Sequence, residues 1–146
     1  KLAEKFIGNE TFLLTYGDGL SNVNINKLIT FHNKKRKILT LTAVQPEGRF
    51  GVLSINNELV STFKEKPTNS NSWINGGFFV CEPDIFKYLS NKNVMFEDKI
   101  MNDLASKSEI AAYKHTGFWQ CMDTLSDKKK LENLIKNKQA PWKIWN

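Results

Sequence analysis

Cysteine is scarce in this chain: there are two, Cys81 and Cys121, in 146 residues, with no C-x-x-C or mixed Cys/His spacing. That excludes a zinc-ligand pattern and a disulfide framework, and free thiols fit a reducing compartment. Apolar residues never run for the ~18 positions that a membrane-spanning helix needs. No signal-peptide pattern opens the chain, which points to a cytoplasmic protein without membrane attachment. Repeats, low-complexity tracts and linkers are also lacking, so residues 1–146 read as one domain with a sizeable core. Nor is there an initiator methionine: the chain begins "KLAEKFIGNETF".

What is present is an ordinary globular balance, 40% hydrophobic and 25% charged residues, with a net charge of +6. The basic residues concentrate in "KKRK" (34–37) and "DKKKLENLIKNK" (127–138). Both have the look of helix ends and solvated helix faces, where lysines complement the macrodipole. No stacking aromatics alternate with them, so a nucleic-acid partner is not expected. A small anionic substrate suits the same charge.

The hydrophobic pattern predicts an α/β fold. "TFLLTY" (11–16) is a short run of strand formers ending at a Gly-Asp-Gly turn. In "NINKLITFHNKK" (24–35), Ile25, Leu28, Ile29 and His32 form one helical stripe. "ILTLTAV" (38–44) is a buried-type strand, and strand, helix, strand in that order implies a unit with parallel strands. Residues 50–55 and 58–65 read as a hairpin, and "WINGGFFVC" (73–81) as a strand interrupted by two glycines. A helix is expected after Pro83 and another over 97–106, where Phe96, Ile100, Met101 and Leu104 share a face. Strands 110–115 and 118–123 flank a Thr-Gly turn, and a closing helix follows, its N-cap Thr124 or Ser126.

The polar chemistry sits at strand ends. In "TYGDGLSN" (15–22) Asp18 lies between Gly17 and Gly19, which can take positive φ and admit a ligand close to the main chain. Asp18 is either a turn former or a ligand-facing acid; in parallel sheets ligands bind beyond the carboxyl ends of the strands, where it would sit. "FKEKP" (63–67) ends a strand with Glu65 and Lys66 adjacent. Neighbouring strand residues point to opposite faces, so at most one should face a shared pocket unless the strand twists or bulges. "NGG" (75–77) is a candidate bulge or a point of close backbone approach. "GFWQCMDTLSD" (117–127) delivers Asp123 at another strand end, where it is either a capping acid or a ligand. Asp18 and Asp123 with a glycine-lined approach and a nearby lysine would make a site for Mg²⁺ and phosphate, since this hard ion prefers carboxylate oxygens and substrate phosphates. His32 and His115 read as structural.

The blocks "TYGDG", "LTAVQPEGRFG", "FKEKP", "INGGFFV", "HTGFWQCMDT" and "APWKIW" occur in an order and at spacings that resemble the sugar-phosphate nucleotidyltransferase family, from about residue 5 to residue 146. "GDG" and "EKP" are shared widely in that family. "QPEGRFG", "GFWQCMDT" and "PWKIW" resemble its cytidylyl branch rather than its thymidylyl branch. The resemblance implies a Rossmann-like, glycosyltransferase-A-like mixed sheet flanked by helices. It also implies a reaction in which CTP and α-D-glucose 1-phosphate give CDP-glucose and pyrophosphate, in a cytoplasmic homo-oligomer making nucleotide sugars for polysaccharides. By the same resemblance Asp18 and Asp123 hold Mg²⁺ and Gly17 lies against the nucleotide. Glu65 and Lys66 contact the sugar and its phosphate, and Gly51, Asn75 and Gly76 line the sugar pocket.

The family's opening G-G-x-G-T-R-L loop and downstream K-P, which grip the triphosphate, have no counterpart here. With the absent methionine this suggests the C-terminal part of a longer protein, lacking the N-terminal half of the sheet and most of the base pocket. These 146 residues alone are then expected to turn over poorly. A related thymidylyl- or uridylyltransferase, or a non-catalytic sugar-phosphate-binding or assembly fragment, is the alternative.

Overall fold

A computed structural model describes residues 1–46, 73–89 and 96–144, with the backbone of 52–56 and 59–64. After a single helical turn, α1 (Glu4–Ile7), come β1 (Phe12–Thr15), β2 (Gly19–Ser21), α2 (Ile25–Lys35) and β3 (Leu39–Val44). The hairpin β4 (Val52–Asn56) and β5 (Leu59–Lys64) precedes β6 (Ile74–Cys81), a 3₁₀ turn at Pro83–Lys87 and a π-helical turn at Phe96–Ile100. That turn runs into α3 (Met101–Ser106), followed by β7 (Ile110–Lys114), β8 (Trp119–Cys121) and α4 (Leu125–Lys136). The result is a mixed α/β arrangement, as the hydrophobic pattern predicts.

The main sheet has the order β1-β6-β3-β7. β6 is antiparallel to both β1 and β3, while β3 and β7 are parallel. The predicted strand–helix–strand unit therefore holds in direction only: β1 and β3 point the same way, but β6 lies between them. Its Phe79, Val80 and Cys81 are all buried, so both faces of this strand are covered, the pattern of a sheet interior. The strands about the Thr-Gly turn do not pair with each other. β7 joins the main sheet, and β8 pairs instead with β2, a three-residue strand that the sequence pattern hides inside a turn. The chain is tight at that turn, where a Cβ on Gly117 would lie 2.5 Å from Asn22 Oδ1 and 2.7 Å from His115 Cε1.

α2 starts at Asn24, whose side chain accepts from the Lys27 amide at 2.9 Å, and buries Leu28 and His32. His32 spans the interior: Nδ1 meets Thr40 Oγ1 and Nε2 meets Glu82 Oε1, both at 2.8 Å. It is a packed, fully hydrogen-bonded side chain. Lys34 and Lys35 occupy the last turn of α2, as the macrodipole favours. The main core joins Leu39, Phe79, Cys81, Ile85, Phe86, Ile100 and Leu104, with Phe96 and Met101 packed against it. α4 opens with a Thr124–Asp127 capping box, and Trp142 beyond it stacks on Phe118 with ring centroids 5.3 Å apart. Among the described residues no helix is long and apolar enough to cross a membrane.

Candidate functional site

The Gly-Asp-Gly turn is held between two strands from later in the chain, β6 and β8. Before it, the Tyr16 amide donates to Gly77 O at 2.9 Å; after it, β2 pairs with β8, Gly19 opposite Cys121. Asp18 O accepts from the Met122 amide at 2.8 Å, which extends the β2–β8 ribbon by one bond. Asp18 and Asp123 therefore stand at the same end of one ribbon, both exposed. The geometry of the turn differs from expectation in one respect. Neither Gly17 nor Gly19 has a positive φ; among the described glycines Gly8 and Gly77 do. The turn closes with ordinary backbone angles. What Gly17 supplies is access, since nothing lies within 4 Å of where its Cβ would be.

Asp123 has a thiol beside it: Cys121 Sγ donates to Asp123 Oδ2 at 3.2 Å. One ligand atom each from Cys121, Asp123 and Asp127 lie within 4.8 Å of one another. Asp127 is committed to α4, accepting from Thr124 N at 3.0 Å, Thr124 Oγ1 at 2.8 Å and Gln120 Nε2 at 3.1 Å. Among the described residues this candidate ligand group includes Asp123 but not Asp18, the other acid expected to hold the ion. A hard divalent cation prefers carboxylate oxygens, and the thiol does not add to that preference.

Facing the turn is the start of β6. Gly76 O accepts from Trp119 Nε1 at 2.8 Å, so β8 is fastened to β6 directly beneath the turn. Gly76 is glycine for a packing reason: a Cβ there would lie 2.9 Å from Val44 Cγ1 and 3.0 Å from Thr42 O. Gly77 has φ +76°, and its Cβ would lie 2.9 Å from Tyr16 Cδ2. Here is the irregularity that the "NGG" stretch predicts, at a register shift between Leu41 and Ala43 of the paired β3. Asn75 sits at its mouth, with Oδ1 accepting from the Gly77 amide at 3.0 Å.

A carboxylate that the sequence pattern did not single out completes this side. Glu97 Oε1 accepts from Tyr16 Oη at 2.7 Å and from Asn75 Nδ2 at 3.1 Å. Burial first, then Glu97, holds the Tyr16 phenol well above the usual tyrosine range, so it stays protonated and a donor. In sequence, the available signal for Glu97 is an acid set between the core residues Phe96 and Ile100. His115 Nε2 meets Phe118 O at 3.2 Å, away from the turn, which fits a structural role. Gly51, Glu65 and Lys66, the other expected site residues, lie outside the described residues.

The chain is 44% identical over 145 residues to a glucose-1-phosphate cytidylyltransferase of Salmonella typhimurium, covering 99% of this chain and 56% of that protein. It is 29% identical over 128 residues to a glucose-1-phosphate adenylyltransferase of Mycoplasma mobile, covering 78% of this chain and 34% of that one. The chain thus spans about half the length of the Salmonella relative. In fold it is similar to HddC from Yersinia pseudotuberculosis, with a TM-score of 0.60, 21% identity and coverage of 88% of this chain and 57% of the other. The nucleotidyl transferase family model matches residues 1–135, nearly every element that builds the site, and the chain belongs to that family.

Proposed function

We propose that the protein carrying this chain transfers a cytidylyl group from CTP to α-D-glucose 1-phosphate, releasing pyrophosphate and forming CDP-glucose. The observation that carries this reading is the 44% identity over 145 residues to a glucose-1-phosphate cytidylyltransferase, supported by the standing of Asp18 and Asp123 at one end of the β2–β8 ribbon. In this reading a phosphate oxygen of the sugar phosphate attacks the α-phosphorus in line, and pyrophosphate leaves on the opposite side. That oxygen is already ionised near neutral pH, so no general base is required. His32 and His115 are engaged in internal hydrogen bonds, and the Tyr16 phenol holds its proton.

The protein then has two tasks, positioning and charge neutralisation. Asp18 and Asp123 would hold Mg²⁺, which when bound offsets negative charge on the phosphates. Gly17, with open space in place of a side chain, lets the nucleotide approach the turn. Lys66 meets the sugar phosphate as a compact positive charge, and Glu65 accepts from sugar hydroxyls. Gly51, Asn75 and Gly76 shape the pocket around them. The net charge of +6 suits two anionic substrates.

The test is pyrophosphate release by the full-length gene product given CTP, glucose 1-phosphate and Mg²⁺, with UTP, dTTP and ATP as competitors for the nucleotide position. CTP-dependent release with recovery of CDP-glucose supports the reading. Preference for another nucleotide, or sugar-phosphate binding without turnover, overturns it.

A further inference from the structure

Asparagine carboxamides have nearly the same shape with oxygen and nitrogen exchanged, so a defined orientation must come from their neighbours. Asn75 has a donor facing one end and acceptors facing the other. Its Oδ1 accepts from the Gly77 main-chain amide at 3.0 Å, and its Nδ2 donates to Glu97 Oε1 at 3.1 Å and to Tyr16 Oη at 3.4 Å. Exchanging the two ends would set oxygen against carboxylate and NH₂ against N–H, losing these bonds and adding two repulsions. The Gly77 contact belongs to the backbone, whereas the Glu97 contact is a side chain's alone. The same Glu97 oxygen accepts from Tyr16 Oη at 2.7 Å, so it also ties the strand before the Gly-Asp-Gly turn to the mouth of β6. Phe96 anchors this carboxylate from beneath, edge-on to Phe79 of β6 with centroids 5.8 Å apart.

We propose that Glu97 is a positioning residue that fixes the orientation of the Asn75 carboxamide for recognition of sugar hydroxyls; the sugar part rests on the reading above. Held this way, with Nδ2 directed at Glu97 Oε1 and Tyr16 Oη, Asn75 offers the second Oδ1 lone pair as an acceptor for a sugar hydroxyl. Hydrogen bonds to a carboxylate acceptor are of the stronger, charge-assisted kind. Glu97 needs no contact with the substrate to act.

The test uses the full-length gene product, with CTP saturating and glucose 1-phosphate varied. Glu97→Ala should raise the KM for glucose 1-phosphate about tenfold, the worth of one such hydrogen bond, while kcat and the KM for CTP hold. Glu97→Gln should recover most of the loss, because its carbonyl oxygen can accept both bonds. Asn75→Ala should give a similar defect, and the double variant should be no worse than Asn75→Ala alone. An additive double variant, or a rise in the KM for CTP, would mean that Glu97 acts otherwise and would overturn the proposal. A second measurement needs no substrate: the Asn75 side-chain amide protons, followed by NMR, should lose their protection from exchange in Glu97→Ala and keep it in Glu97→Gln. Unchanged protection in Glu97→Ala overturns the positioning itself, whatever the sugar phosphate proves to be; lost protection with no KM effect places the failure in the sugar reading.

Discussion

The main-chain carbonyl of Asp18 accepts a hydrogen bond from the amide of Met122 at 2.8 Å. Through that bond a turn near the start of the chain and a strand end near its close become one structural edge. Asp123 is the next residue along β8's exit, so the spacing of the two acids is set by a β ladder and not by a free loop. Backbone pairing of this kind holds side chains more reproducibly than a loop can. It also means that altering either carboxylate leaves this main-chain ladder in place.

Asp18→Asn and Asp123→Asn should therefore each lower turnover by about a hundredfold, the scale of losing one charge-stabilising group, with the melting temperature nearly unchanged. Each change removes charge but little volume, and both positions are exposed. Raised Mg²⁺ or Mn²⁺ should recover part of the activity. Near-normal turnover at low Mg²⁺ in either variant would return that acid to the role of turn former or helix cap.

Lys66 and Glu65 should separate in steady-state kinetics. Lys66→Ala removes a positive charge suited to a dianionic phosphate, so it should raise the KM for glucose 1-phosphate and lower kcat. Glu65→Gln retains hydrogen-bonding capacity and should be milder, relaxing discrimination against galactose 1-phosphate. If Lys66→Ala changes only the CTP dependence, the lysine belongs to the nucleotide side.

Three glycines of the site should respond in different ways. Gly76→Ala forces a methyl to within 2.9 Å of Val44 and 3.0 Å of a backbone carbonyl, and should cost about 1–3 kcal/mol as overpacking. Gly77→Ala meets the Tyr16 ring at 2.9 Å from a φ of +76°, and adds about 1–2 kcal/mol for the left-handed backbone. Gly17→Ala has open space and ordinary angles, so stability should hold while nucleotide affinity falls. Urea titrations beside nucleotide binding check all three. A stable Gly77→Ala protein would contradict the backbone argument.

These glycines also mark where sequence reasoning reached and where it stopped. The Leu28–His32 stripe of α2, the α4 cap to within Thr124 or Ser126, and the Phe96–Leu104 face were legible because each depends on neighbours within one or two turns. The "NGG" irregularity was legible too, since glycine pairs inside strands are costly without a reason. Strand order was not: β6 takes the place between β1 and β3 through pairings remote in sequence, which no local period records. β2 escaped notice because Gly19, Leu20 and Ser21 are too few and too weak in strand preference. The acids Asp18 and Asp123 were singled out by their places at strand ends. Glu97 was not, because its partners Tyr16 and Asn75 come from other elements.

The buried thiol of Cys81 should make stability fall at alkaline pH. Burial, aided by the nearby Glu82 carboxylate, pushes its pKa from 9.0 up to about 12. Above pH 9.0 the unfolded chain releases this proton while the folded protein retains it, so the folded state binds more protons. Unfolding free energy then declines with pH, by up to about 1.4 kcal/mol per unit. The stabilisation is complete below the unfolded value and is lost progressively as pH rises through the folded one. Cys81→Ala introduces a cavity and so lowers stability at every pH, but it should flatten the decline. Denaturant midpoints measured on both sides of the unfolded value separate the constant offset from the slope. In parallel, a thiol reagent near neutral pH should modify Cys121, which is partly exposed, and leave Cys81 untouched until the protein unfolds. Equal alkaline slopes in the two proteins, or rapid labelling of Cys81 in the folded state, would show that this thiol is not sealed in the core.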